Sequence, residues 1–222
     1  PSSGRDMTTG IGPTLPSGKN GKPTLTSRIS SMIREEEQGP ISYTTFPSPC
    51  GRILLAANER GICRLHFFGA VGPRKSEIQK ILHLPSIGGE DRGSSAVESL
   101  LCRARESVCG YLQEGNPLEE FPLDLSSGTD FQRRVWQCLG RIPRGQTRTY
   151  LEVAAQMGSP RASRAVGQAC GRNPVALFVP CHRVVGAGGK LGGFSGGIEV
   201  KRNLLELESG SGNCHSRMED KR

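Results

Sequence analysis

The chain has 222 residues, 35% of them hydrophobic, with 30 glycines, 15 prolines and a formal net charge of +8. That length can bury one sizeable core or two small ones, but the apolar fraction points to a folded body with undersized, flexible ends. Apolar runs such as Val175 to Val179 are far too short to cross a bilayer, and the polar N-terminal residues lack the apolar stretch of a secretory signal.

The eight cysteines are irregularly spaced and contain no CxxC pair, which favours reduced thiols over a disulfide framework. Cys63-x-x-His66 is the nearest approach to a metal pattern and is too little for a site, so neither a metal nor a cofactor is expected. Charge is uneven along the chain. Residues 129–208 hold twelve Lys/Arg against five Asp/Glu, and the nine basic residues between Asp130 and Arg183 are all arginine. Guanidinium groups suit forked phosphate contacts and stacking, so a nucleic acid is the first partner to consider.

In chain order, residues 1–40 read as a disordered tail. Residues 41–46 alternate as a strand, 47–51 carry turn chemistry, and 52–57 and 61–68 read as two more strands. Residues 69–93 read as a loop with one short helix near 77–82. A capping box at Ser95-x-x-Glu98 should open a helix with Val97, Leu100, Leu101, Ala104, Val108, Tyr111 and Leu112 on one face and Gly115 as its stop. Residues 117–128 read as a linker. This gives an N-terminal α/β domain at 41–125, with a small, largely antiparallel sheet plus helix. A mainly helical C-terminal domain follows at 126–209, and 210–222 form a flexible tail.

In the second half, Thr129-x-x-Gln132 and Thr149-x-x-Glu152 each announce a helix. Gly158 should end the second of these, with Ser159 capping the next and Pro160 in its first position. Two short helices around a Gly-Ser turn make a helix-turn-helix. Ala162, Ala165, Val166 and Ala169 form the packed stripe of the second, while Arg161, Arg164, Gln168 and Arg172 line another face. That is the pattern of a recognition helix.

The apolar, strand-like run Val175–Val179 leads into Pro180-Cys181-His182-Arg183. A free thiol with a pKa of about 8.5 is mostly protonated at neutral pH, so a nucleophilic cysteine needs a base or a positive field nearby. His182, Arg183 and the arginine-rich block are candidates for both. The residues alone leave two readings open: an activated nucleophile, or a packed cysteine beside a structural histidine.

Residues 180–185, together with Ser163-Arg164-Ala165-Val166-Gly167, Asn173-Pro174 and Ser195-Gly196-Gly197, resemble the O6-alkylguanine-DNA alkyltransferase family. The likeness runs from about 41 to 209 and is dense from Phe131 onward. It implies a DNA repair protein that moves an alkyl group from O6 of guanine in double-stranded DNA irreversibly onto its own Cys181, once per molecule, after flipping the base out. O4-alkylthymine is a second substrate that the resemblance leaves open. It implies His182 as the residue taking the thiol proton through a water, Glu208 as its orienter, Asn173 as the holder of the active-site turn, and Tyr150 as donor to guanine N3. Arg164 would fill the base stack, with Ala162, Arg161 and Gln168 beside it on the DNA. Ser195, Gly196 and Phe194 would close over the flipped base. Phe194 stands where relatives often carry an aromatic hydroxyl, and Ala176 where they often carry proline. The expected state is a monomer without membrane contact, in the cytoplasm of a bacterium or the nucleus of a eukaryote. The rival readings are a cysteine hydrolase, a non-reactive damage binder and a helix-turn-helix regulator. The first would need multiple turnovers, the second lacks the acceptor cysteine, and the third leaves the Cys-His signature unexplained.

Overall fold

The computed structural model describes residues 40–69, 72–83 and 94–210. The tails expected at 1–40 and 210–222 therefore lie outside the described residues apart from Pro40 and Gly210, as do positions 70–71 and 84–93 of the expected loop.

Three strands, β1 (Ser42–Ser48), β2 (Gly51–Asn58) and β3 (Gly61–Phe67), form an antiparallel sheet in that order. Gly51 closes the first turn at φ +95°, and a Cβ there would meet the Phe68 carbonyl. The run Ile53-Leu54-Leu55-Ala56-Ala57 is buried throughout because β2 is central and covered on both faces. Ile53, Leu55 and Ala57 join the main core, whereas Leu54 and Ala56 pack with Ile78 and Leu82 of α1 (Lys75–Leu82). The main-core face is covered by α2 (Ser95–Glu114), which ends at Gly115 in the left-handed conformation. Its start differs from expectation. Ser94 is the N-cap and makes no side-chain capping bond, so the Ser95–Glu98 box does not form.

Both capping boxes of the second half do form. Thr129 and Gln132 exchange bonds at the start of α3 (Asp130–Leu139), and Thr149 and Glu152 do so at the start of α4 (Tyr150–Gln156). The Gly158-Ser159 turn then leads into a 3₁₀ turn at Pro160–Ala162 before α5 (Ser163–Gly171) begins. Pro160 thus opens the tighter turn that commonly precedes a helix, and Arg161 and Ala162 lie just ahead of α5 rather than within it. Buried Trp136 of α3 donates its indole N–H to the Ala169 carbonyl at 2.9 Å, which ties α5 to the body. A last helix, α6 (Ile198–Glu208), returns to the centre.

Two backbone pairings position the site. A short parallel pair, β4 (Arg148–Thr149) with β5 (Val184–Val185), fixes the start of α4 beside the residues that follow Cys181. The outer edge of β3 is covered by Leu123, bridged to Ile62, and by Val175, bridged to Leu65. The main core runs without interruption from the sheet through α2 to Val153, Val166, Val184 and Leu204.

Candidate active site

The run Val175–Val179 folds as a tight turn rather than the expected strand. Val179 N donates to Val175 O at 3.0 Å, and Ala176 bridges to Val179 across the loop. Leu177 sits inside it at φ +81°, a conformation that L side chains rarely adopt. Asn173 explains why the turn holds. Its Oδ1 accepts from Val175 N at 3.1 Å, and its Nδ2 donates to Val179 O at 2.8 Å and to Cys181 Sγ at 3.1 Å. An apolar run that would otherwise extend is folded back by one buried amide side chain.

Cys181 opens a 3₁₀ turn, Cys181–Arg183, and is 3% exposed. Burial pushes its thiol up; the Asn173 hydrogen bond and the Lys201 ammonium pull it back down. Next to it His182 is fully buried, with Nε2 2.8 Å from Glu208 Oε1. Its Nδ1 has no protein hydrogen-bond partner and is the ring nitrogen left to exchange a proton. Burial lowers the His182 pKa, and the Glu208 carboxylate opposes that.

Glu208, at the end of α6, is the hub of this cluster. Arg183 forks onto it, with Nε 2.9 Å from Oε2 and Nη2 2.8 Å from Oε1. Gly145 N donates to Oε2 at 3.2 Å, and the Tyr111 hydroxyl donates to Oε1. Burial alone would raise this carboxyl, but the bonds from His182 and Arg183 hold it well below the usual carboxylate range. Arg183 is therefore spent on Glu208 and is not the positive charge expected to face the thiol.

That charge is Lys201. It is fully buried on α6, and its Nζ donates to Val184 O at 2.6 Å. Among the described residues it pairs with no carboxylate; its electrostatic partners are the Cys181 and Cys170 thiols. Sequence reasoning missed it, although a lysine on the same helix face as the apolar Val200 and Leu204 was the available signal. It also took Tyr111 for a core residue only, leaving the hydroxyl that a buried tyrosine must satisfy unaccounted for.

The remaining expected residues fall in two places. Tyr150, half-buried at the start of α4, lies close enough to Cys181 and Cys170 to feel their charge; burial and both thiols raise its pKa, so it stays a donor. Gly192 abuts its hydroxyl so closely that a Cβ there would clash. Phe194 stands edge-on to His182, with ring centroids 6.5 Å apart, and Gly196 is pressed between Phe194 and Phe67. Ser195 is exposed beside them. Arg161, Arg164 and Gln168 are exposed on the outer face of the helix-turn-helix, with Ala162 half-buried, and none of the three reaches the buried cluster. Among the described residues, Arg161, Arg164 and Arg172 form no ion pair. Nor does any group of three or more His, Cys, Asp or Glu there have the arrangement to hold a metal.

Residues 41–125 match the family model described as 6-O-methylguanine DNA methyltransferase, ribonuclease-like domain, and residues 130–210 match its DNA-binding domain. A methylated-DNA–protein-cysteine methyltransferase from Mycobacterium bovis is 61% identical over 169 residues, covering 76% of this chain and 92% of the relative. The chain belongs to the 6-O-methylguanine DNA methyltransferase family. A Methanosarcina acetivorans member, also named methylated-DNA–protein-cysteine methyltransferase, is 42% identical over 78% of this chain and 99% of its own length. Among solved structures, Mycobacterium tuberculosis OGT in complex with DNA superposes with a TM-score of 0.60, at 38% identity over 77% of this chain and 94% of that one.

Proposed function

We propose that this methyltransferase repairs DNA by moving the alkyl group of O6-alkylguanine onto its own Cys181, in one turnover and with the damaged nucleotide flipped out of the duplex. The observation that carries the reading is buried Cys181, with Asn173 bonded to its sulfur and the Lys201 charge acting on it, next in the chain to buried His182, whose Nε2 lies 2.8 Å from Glu208 Oε1. A nucleophile, a base and an orienter are the elements of covalent catalysis, and a buried cation favours the thiolate.

In this reading His182 Nδ1 takes the thiol proton through a water. The thiolate attacks the alkyl carbon in line; the S–C bond forms as the C–O6 bond breaks, and the electron pair leaves with guanine. Tyr150, kept protonated by its surroundings, donates to N3 of the departing base and stabilises the charge that develops there. The product thioether has no hydrolytic partner in the cluster, so each molecule acts once. Phe194, Ser195 and Gly196 close over the flipped base. The small residues on the α5 side permit close approach to the minor groove, and Arg164 fills the gap left in the stack, which offsets part of a flipping cost of a few kcal/mol. Arg161, Gln168 and Ala162 flank it.

We further read 41–125 as the supporting domain and 126–209 as the DNA-binding and reactive one, a division close to that of the two family models. The protein would act as a monomer on double-stranded DNA, where the chromosome is. Among the described residues no helix is long and apolar enough to cross a membrane. Flipping is tested with 2-aminopurine placed beside O6-methylguanine and the unreactive Cys181→Ala protein. Binding should raise the fluorescence; binding without any rise would remove flipping from the mechanism.

A further inference from the structure

The Tyr111 hydroxyl is supplied by α2, in the half of the chain to which the reading above gives no chemistry. It is 1% exposed and donates to Glu208 Oε1, the same oxygen that faces His182 Nε2. The phenol is held from outside as well. The Arg144 guanidinium lies over its ring, 5.0 Å from the centroid, and is itself anchored on the Gly115 carbonyl at 2.6 Å. We propose that Tyr111 is a positioning residue of the transfer reaction: by sharing Glu208 Oε1 with His182, it sets how strongly the carboxylate holds the histidine's proton. This rests on the reading of Cys181 as acceptor and His182 as its base.

A carboxylate oxygen has two lone pairs, and Oε1 faces Tyr111, His182 and Arg183 Nε and Nη2 together. Donors crowded onto one atom compete for its charge. Each one added makes Glu208 a weaker acceptor for the imidazolium that forms when His182 receives the thiol proton. Packing against the sheet needs only the ring, which phenylalanine would supply equally; among the described residues the hydroxyl bonds to the carboxylate that orients the base. The charged groups around the cluster are few. His182 faces Glu208, Arg183 and Lys201, and Tyr111 faces Glu208, Arg183 and Arg144. Lys201 and Cys181 govern the alkaline side of the reaction, so the acid limb of the rate belongs to His182.

Removing the hydroxyl strengthens the hold of Glu208 on the His182 proton. The histidine then stays protonated to higher pH and is unavailable as a base. The test is single-turnover methyl transfer from an O6-methylguanine duplex, followed from acid to alkaline pH for the full chain and Tyr111→Phe. The variant should be on the order of threefold to tenfold slower near pH 6 and nearly unchanged at alkaline pH, its acid limb displaced upward. Site-specific 3-fluorotyrosine at position 111, a stronger donor of nearly the same shape, should displace the limb downward and serves if the phenylalanine variant fails to fold. Equal slowing at every pH, or no displacement with either substitution, would overturn the proposal. A wild-type protein that leaves Cys181 unmodified would instead overturn the reading on which it stands.

Discussion

The buried pocket and the outer face of the helix-turn-helix treat charge in opposite ways. In the pocket Glu208 is enclosed by donors from Tyr111, Gly145, His182 and Arg183, and Lys201 is fully buried against Val184 O and two thiols. On the outer face, Arg161, Arg164 and Arg172 are exposed and make no ion pair among the described residues. A buried charge without compensation costs several kcal/mol, so Glu208 is met by donors on both oxygens before any DNA arrives. An exposed guanidinium costs little to leave unpaired and stays available to a polyanion. Rate should therefore be set inside and affinity outside, and substitutions in the two regions should separate the two quantities.

The largest separation is expected for Cys181→Ala, which should abolish transfer and leave duplex affinity within about twofold, because the thiol touches no part of the outer face. A folded variant that lost both would erase the distinction. Lys201→Met comes next. Without the buried cation the thiol should become less acidic and transfer should slow by roughly a hundredfold, while stability holds or rises, since a buried charge is replaced by an apolar chain of similar length. Thermal unfolding and the pH dependence of thiol reaction with a neutral disulfide check both halves; unchanged thiol acidity would remove Lys201 from the chemistry. Arg164→Ala should slow repair in duplex DNA by about tenfold or more and barely affect free O6-benzylguanine, which needs no flipping. Equal losses on both substrates would place Arg164 in the pocket's function after all. Smallest of all, Arg161→Ala should leave the rate at saturating DNA unchanged and flatten the salt dependence of binding by roughly one counterion.

The two regions were also unequally legible from sequence. The outer face is local: caps at Thr149 and Glu152, the Gly158-Ser159 turn and arginines spaced along one short helix lie within about 25 residues, so periodicity exposes them. Even there the entry was misjudged, because nothing in Pro160-Arg161-Ala162 distinguishes a 3₁₀ turn from a first helical turn. The β1–β3 sheet was legible for the same local reason. Cys181 and His182 stand out from the residues themselves, which leave Cys181 undecided between nucleophile and packed thiol, whereas Asn173 and Glu208 enter through family likeness rather than physics. Tyr111, Gly145 and Lys201 escaped, since their meaning depends on contacts 63 to 97 positions away in two cases and on burial in the third. The run Val175–Val179 shows the same limit. Its composition favours a strand, and a side chain outside the run, Asn173, folds it into a turn.

The central claim, that Cys181 is a once-only alkyl acceptor, is tested most directly by intact mass. The protein is incubated with excess duplex carrying one O6-methylguanine and followed over time. The account predicts one species heavier by about 14 Da, a methyl in place of a hydrogen, saturating at one per molecule and mapping to Cys181. Continued turnover, a methyl on another residue, or firm DNA binding with no change in mass would contradict it.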